Sequence, residues 1–221
     1  MKFADKIIGQ EIAIDGGLRY DYSQFESSVA QLIDGYPHAN PKDPYDIAVE
    51  NPPSLVDVKL SKFDRQSVAI NVSCVCHAIA GEVTDFLVVT PSEFPVHDNH
   101  YKVRAAYDFP AAVLVDFFMN NVIYGGRATR VNISVSADEV AGKMEGTQTE
   151  GHSWPILFSE DGSFIELETF DEIEQVNTMR GPITNFDLKR ITPGTEVEFQ
   201  GQHYKWYLSN NYVWVNPSIA Q

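Results

Sequence analysis

The sequence has few of the residues and segments on which several common classes of protein depend. Cysteine occurs only twice, at Cys74 and Cys76, which is too few and too closely spaced for a disulfide framework. No apolar run approaches the roughly 18 residues that a membrane-spanning helix needs. Charged residues interrupt the first apolar stretch, which argues against a secretory signal. These absences predict a soluble, cytoplasmic protein of a bacterial or phage-infected cell that does not contact the membrane.

Basic residues are also scarce. The chain contains 16 Lys and Arg against 31 Asp and Glu, which gives a formal net charge of −15. A surface of that sign repels the phosphate backbone, so direct binding to nucleic acid is not expected. The same charge favours a basic protein partner, although many cytoplasmic proteins are acidic without any such role.

Motifs that would supply catalytic chemistry are missing too. The sequence has no G-x-S-x-G nucleophile motif and no phosphate-binding loop. Cys74 and Cys76 share the alternation of the preceding apolar residues, which predicts burial on one face of a strand and an inert role. His97 and His100 are only a weak signal for metal binding. We therefore predict no catalytic residue, no metal and no cofactor, with a cysteine hydrolase as the least favoured alternative.

The first part of the chain predicts an α+β domain over residues 1–141. A helix is expected over residues 23–34, with Ser23 and Glu26 as a capping box and Gly35 as a left-handed C-terminal cap. A second helix is expected after Asp108, which would cap it, with Pro110 in its first turn. Strands are expected at residues 6–14, 55–61, 68–76, 86–90, 101–107 and 130–136, and the second and third of these form a hairpin through a turn at residues 64–66.

The second part predicts a small β unit. Residues 142–151 are polar and rich in glycine, as is typical of a linker. Residues 152–221 then carry a hairpin around Glu160-Asp161-Gly162, followed by short strands at residues 196–200, 203–208 and 212–215. The predicted architecture is an antiparallel sheet with two helices, followed by a small β-barrel-like unit.

Two features of this second part are candidate binding surfaces. Residues 160–174 contain seven carboxylates and no Lys or Arg, and we expect Glu166 and Glu168 to share one face of a strand over Phe164–Phe170. The alternative for this segment is a solvated strand face that resists edge aggregation. Near the C-terminus, aromatic residues are crowded into a short stretch, and those that are not core residues could line a groove. The candidate partner-binding residues are Asp161, Glu166, Glu168, Asp171, Glu172, Glu174, Tyr204, Trp206 and Trp214.

The C-terminal stretch resembles a bacterial SH3-type domain. The residues that carry the resemblance are Val176–Pro182, Pro193–Phe199, Trp206-Tyr207 and Val213-Trp214-Val215. The arginine of the family's asparagine-arginine-glycine-proline motif is displaced by one position, and Val213 replaces the glycine that usually precedes the last tryptophan. The resemblance implies a small barrel-like β fold, and family members often bind cell-wall peptides.

The middle of the chain is similar to small immunity proteins of bacterial toxin systems. The similarity is carried by Ser67–Cys76, by Gly81–Phe94 with its strand ending in Thr90-Pro91, and by Tyr101–Asn121, which would supply the later helix. Such proteins bind and inhibit a toxin inside the cell, and acidic members suit basic toxins. The similarity therefore implies a basic protein partner such as a toxin or a nuclease.

Together these features favour non-catalytic protein binding by an intracellular inhibitor or immunity-type protein. One alternative is a phage or cell-wall-associated protein whose SH3-like unit binds peptidoglycan or a peptide. Another is a structural component of a viral particle.

Overall fold

The structure is a computed structural model that describes residues 3–14, 22–38, 40, 43–61, 68–123, 154–184 and 191–216. The predicted turn at residues 64–66, the predicted strand at residues 130–136 and the predicted linker at residues 142–151 lie outside these ranges. No helix within them is long and apolar enough to cross a membrane.

The described residues form short helices and many strands. In chain order the elements are α1 (Phe3–Ile7), β1 (Glu11–Ala13), α2 (Tyr22–Leu32), β2 (Gly35–Pro37), β3 (Ile47–Glu50), β4 (Pro53–Leu60), β5 (Val68–Asn71), α3 (Val72–Ile79), β6 (Asp85–Pro91), β7 (His100–Pro110), α4 (Ala111–Phe118), a π-helical turn (Met119–Ile123), β8 (Pro155–Phe158), β9 (Phe164–Glu166), α5 (Phe170–Gln175), β10 (Asn177–Thr178), β11 (Gly181–Pro182), β12 (Glu196–Phe199), β13 (Gln202–Leu208) and β14 (Tyr212–Val215). The mixture of helices with largely antiparallel sheets confirms the α+β fold class.

The chain divides into two compact units whose bounds differ from those expected from the sequence. The first unit contains residues 1–68, 77–115 and 215–221, and the second contains residues 69–76 and 116–214. Residues 69–76 join the second unit because the backbone amides of Val72 and Ser73 donate to the carbonyl oxygens of Asn211 (2.8 Å) and Ser209 (3.0 Å). Strand β5 also pairs with β14 in a two-stranded sheet.

The first unit is built on a six-stranded sheet in the order β1-β7-β6-β4-β3-β2. All neighbours are antiparallel except β4 and β6, which run parallel. The inward residues of α2, including Phe25, Val29 and Ala30, belong to the same core cluster as Ile47 and Leu87 of the sheet. This helix is amphipathic, so it covers one face of the sheet with its apolar stripe.

The helix expected over residues 23–34 is found as α2 (Tyr22–Leu32), so Ser23 lies within the helix and does not cap it, and the predicted C-terminal cap is also wrong. Asp34 carries the positive φ of 60°, and Gly35 is already the first residue of β2. Glycine is needed at position 35 for a different reason, since a Cβ there would lie 2.6 Å from Cγ2 of Ile47. Close approach of β2 to β3 thus explains this glycine.

The predicted hairpin between residues 55–61 and 68–76 is wrong. Strand β4 pairs with β3 and β6, and residues 72–79 form helix α3. Val72, Val75 and Cys76 are buried at helical spacing in α3, although Cys76 also fits the alternation of β5. A short apolar run satisfies both periods, so alternation alone could not separate a strand from a helix here.

Two further local predictions are wrong. Residues 6–14, expected as one strand, contain the end of α1 and the short strand β1. Asp108 does not cap a helix, because it lies within β7 and its Oδ2 accepts a hydrogen bond from the backbone amide of Phe3 at 2.8 Å. Helix α4 begins later, at Ala111, directly after Pro110.

The second unit contains a six-stranded antiparallel sheet in the order β11-β10-β12-β13-β8-β9. One face forms a core from Leu157, Val197, Trp206 and Leu208, with Ile173 of α5 packed against it. On the opposite face the ring of Phe118 lies 5.0 Å from that of Phe158 and 5.6 Å from that of Tyr207. The unit contains α5, so it is not all-β, and the SH3-type architecture stays a prediction.

Candidate partner-binding surface

The turn between β8 and β9 uses one of the predicted binding carboxylates for its own structure. Asp161 Oδ1 accepts hydrogen bonds from the Ser163 amide (3.0 Å), the Ser163 hydroxyl (2.8 Å) and the Ser159 hydroxyl. These bonds, that of Ser159 first, lower the pKa of Asp161 to about 2. Asp161 is therefore an exposed turn residue with one carboxylate oxygen, Oδ1, committed to the turn.

Glu172 is also used internally, in the capping box that begins α5. Its Oε2 accepts hydrogen bonds from the backbone amides of Glu168 (2.9 Å) and Thr169 (3.1 Å). In return, Thr169 Oγ1 accepts one from the Glu172 amide at 3.2 Å. This reciprocal arrangement satisfies amides at the N-terminus of the helix, so the Glu172 carboxylate is not freely available to a partner.

The other four carboxylates predicted as binding residues in this stretch remain available. Glu166, Glu168, Asp171 and Glu174 are all exposed, and no ion pair joins them to a cation among the described residues. The expected strand over Phe164–Phe170 ends at Glu166, so Glu166 and Glu168 do not share a strand face. We call these four residues the acidic surface.

The aromatic residues proposed for a groove are mostly core residues. Trp206 is 1% exposed and Tyr204 is 8% exposed, and both belong to the core of the second unit. The Tyr204 hydroxyl donates to Gln202 Oε1 at 2.8 Å. Trp214 is half-buried. The face of β13 that carries Tyr204 and Trp206 is thus covered by the protein itself, and these two side chains are unsuited to contact a partner.

The cysteines lie in α3 and not in a strand. Cys76 is buried and Cys74 is half-buried. Burial, followed by the charge of Glu166 and the neighbouring Cys74, raises the pKa of the Cys76 thiol. A nucleophilic cysteine needs a lowered pKa, so Cys76 has the opposite electrostatics.

The two histidines considered as metal ligands contact each other and a carboxylate. Their rings stack with centroids 4.6 Å apart, and His97 Nε2 lies 2.9 Å from Glu11 Oε2. Across the described ranges, no group of three or more His, Cys, Asp or Glu side chains is arranged to hold a metal ion.

An ionic cluster around the buried carboxylate of Asp57, in the first unit, was missed from the sequence. Asp57 is only 3% exposed, and its Oδ1 lies 2.5 Å from Lys59 Nζ. Asp46 Oδ2 accepts a hydrogen bond from the Val58 amide at 2.6 Å. Burial and then the charge of Asp57 raise the pKa of Asp46 to about 6, although Lys59 and the Val58 amide oppose this shift. Nearby, His38 pairs with Asp43.

A pocket of about 490 Å³ in the second unit was also missed. Its lining residues are Ile123, Phe158, Glu160, Glu196, His203, Tyr204 and Lys205. Lys205 is opposite Phe158 on one neighbouring strand and opposite Glu196 on the other. Directly opposed residues share a sheet face, and only the strand pairing brings these three together. The Lys205 ammonium donates to the carbonyl oxygen of Ile123.

No family model, curated protein or solved structure matches this sequence. The resemblances to SH3-type domains and to immunity proteins therefore stay predictions.

Proposed function

We propose that this is a non-catalytic protein-binding protein whose acidic surface binds a basic protein partner. The observation that carries the proposal is that Glu166, Glu168, Asp171 and Glu174 are exposed and have no ion-pair partner among the described residues. Two of the carboxylates counted in the sequence, Asp161 and Glu172, are removed from the binding set because the fold uses them.

The negative charge of this surface determines the kind of partner that it attracts. Residues 154–184 contain seven carboxylates and a single cation, Arg180, in a chain of net charge −15. Such a field accelerates the encounter with a positively charged protein, and carboxylates form charge-assisted hydrogen bonds with its arginine and lysine side chains. It also disfavours nucleic acid as a direct ligand.

The partner class that fits best is a basic protein inside the cell, such as a toxin or a nuclease. An intracellular inhibitor of the immunity type would use its acidic surface to cover the basic surface of its target. The resemblance of Ser67–Cys76, Gly81–Phe94 and Tyr101–Asn121 to immunity proteins implies the same role, although residues 72–76 lie in α3 and not in the strand of that pattern. Burial of Tyr204 and Trp206 leaves only Trp214 of the three candidate aromatic residues for a groove that would bind peptidoglycan or a peptide, so the inhibitor is favoured over that alternative.

A matched pair of charge reversals tests the proposal. The test variant is E166K/E168K/E174K. Asp171 is left unchanged because it is adjacent to Glu172, whose carboxylate belongs to the capping box that begins α5. The control is D5K/E50K/E93K, which makes the same change in net charge at three exposed carboxylates of the first unit.

Each immobilised protein is incubated with extract of the native host, and the retained proteins are identified by mass spectrometry. We expect the wild type and the control variant to retain the same basic protein, and the test variant to lose it. Retention of that protein by the test variant at the wild-type level would show that the acidic surface does not bind it.

A further inference from the structure

Strand β9 forms one edge of the six-stranded sheet in the second unit, and β8 is its neighbour on the inner side. At the end of this pairing, the Leu167 amide donates to the carbonyl oxygen of Pro155 at 2.8 Å. Because the backbone groups of successive residues in a strand point to opposite sides, those of Phe164 and Glu166 point away from β8. Neither residue is buried, and no hydrogen bond among the described residues uses these outward groups.

The other three edges of the two six-stranded sheets are blocked within the described ranges. In β1, the outward amide of Ala13 donates to the Ser28 hydroxyl of α2 at 3.2 Å. Strand β2 contains Pro37 and strand β11 contains Pro182. Proline has no amide to donate, and natural sheets use it to prevent pairing at an edge. Strand β9 contains no proline, so its backbone can still pair with another strand.

The side chains of β9 define what a pairing strand would need to carry. Glu166 is exposed, while Phe164 is half-buried, with its ring 5.7 Å from that of Phe158. Phe164 and Glu166 are two residues apart and therefore share one sheet face. In a strand added antiparallel to β9, the residue opposite Glu166 comes two positions before the residue opposite Phe164. A basic residue at the first of these positions and an apolar residue at the second complement β9.

We propose that β9 receives an extended segment of the basic partner as an additional antiparallel strand, an inference that rests on the proposed function. A Lys or Arg of that segment lies opposite Glu166, and an apolar residue lies opposite Phe164. Backbone hydrogen bonds supply the pairing, and the alternate side chains supply the selectivity. A second copy of this chain is a poor occupant, because it brings the same carboxylates and a net charge of −15.

The test uses the full chain and the peptide acetyl-Thr-Lys-Thr-Val-Thr-amide as the probe. In one derivative, the Lys and Val nitrogens are methylated, which removes the two donors that would face β9. In the matched derivative, the nitrogens of the third and fifth residues are methylated, and these donors would face away from β9. Both derivatives keep the charge and the side chains of the probe, so they differ only in the backbone groups offered to the strand.

Binding is followed by NMR through the amide signals of Phe164 and Glu166. We expect saturable shifts with the probe and with the matched derivative. The derivative methylated at Lys and Val should bind about tenfold or more weakly than the matched derivative, because two hydrogen bonds are lost. Equal affinities of the two derivatives, or no saturable shift with the probe, would each overturn the inference.

Hydrogen exchange provides an independent readout. In the free chain, the amides of Phe164 and Glu166 should exchange fast, while that of Leu167 should exchange slowly because it is bonded to Pro155. Saturating probe should slow the exchange of the first two amides. Slow exchange at Phe164 and Glu166 in the free chain would show that this edge is already occupied, and it would overturn the inference.

A matched pair of variants tests the same edge from the protein side. E166P removes an outward amide without removing a hydrogen bond to β8, whereas E166Q keeps that amide and removes only the charge. E166P should bind the probe at least about tenfold more weakly than E166Q, and equal binding would contradict strand addition. Sedimentation of the free chain should show no dimer that E166P dissociates. Such a dimer would make a second copy the occupant and would overturn the inference.

The outcomes separate this inference from the proposed function. If the two methylated derivatives bind equally while E166K/E168K/E174K loses the basic protein, strand addition is wrong and the proposed function stands. If the derivatives differ as expected but E166K/E168K/E174K retains the basic protein, the acidic-surface proposal fails and β9 remains a site of strand addition.

Discussion

Replacing Asp46 by Asn should stabilise the protein above neutral pH. The carboxyl of Asp46 is half-buried near Asp57, and its pKa is raised from 3.8 to about 6. Asparagine retains an oxygen that accepts the hydrogen bond from the Val58 amide, but it carries no charge. The substitution therefore removes the cost of ionising a partly desolvated group while it preserves the hydrogen bond that positions the residue.

The magnitude and the sign follow from proton linkage. A shift from 3.8 to about 6 is about 2 pKa units, which at 1.36 kcal/mol per unit gives about 3 kcal/mol. Because the folded state holds the proton more tightly than the unfolded state, stability is fully present below pH 3.8. It is lost as the pH rises through about 6. D46N should thus add about 1–3 kcal/mol to the free energy of unfolding near pH 8 and much less near pH 4.

The assay must report on the first unit. All three tryptophans, Trp154, Trp206 and Trp214, are in the second unit, so their fluorescence does not follow Asp46 directly. Urea unfolding followed by circular dichroism, together with hydrogen exchange at the Val58 amide, provides the measurement. D116N, at an exposed position of α4, should change stability by less than about 0.5 kcal/mol at every pH. A D46N variant that is destabilised equally at all pH values would refute the reasoning.

Two further predictions concern the thiols and the close approach of β2 to β3. In the native protein, Cys76 should resist alkylation and should react only after denaturation, as measured by peptide mass spectrometry, because burial raises its pKa. Rapid native labelling of Cys76 would contradict its placement. Gly35→Ala should lower the free energy of unfolding by about 1–3 kcal/mol, because the new methyl group would meet Ile47. Chemical denaturation measures this change, and an unchanged midpoint would show that β2 can move away without cost.

Much of the strand architecture could be predicted from the sequence. The hairpin around Glu160–Gly162 and strands β12, β13 and β14 are found where alternation and turn residues indicate them. Amphipathic helix α2 is found for the same reason. Segment 68–79 could not be resolved in this way. Its apolar residues fit both the period of a strand and that of a helix. Hydrogen bonds from the backbone amides at the start of α3 to distant residues help to stabilise the helix.

The candidate site was predictable only in part. Exposure of Glu166, Glu168, Asp171 and Glu174 agrees with their polar sequence context. The internal role of Glu172 had a visible signal, because Thr169 precedes it by three residues in the pattern of a capping box.

Other features depend on strand pairing. Asp46 and Asp57 are 11 residues apart in the sequence, and their approach requires β3 to pair with β4. The approach of Phe158 to Glu196 likewise requires both β8 and β12 to pair with β13.

The affinity of the basic partner as a function of salt tests the central claim most directly. For the wild type and for D5K/E50K/E93K, affinity should fall steeply between about 0.1 M and about 1 M salt, as the screening length shortens from about 10 Å to about 3 Å. For E166K/E168K/E174K, the affinity should already be weak at low salt and nearly independent of it. A salt dependence for this variant as steep as that of the wild type would contradict binding through the acidic surface.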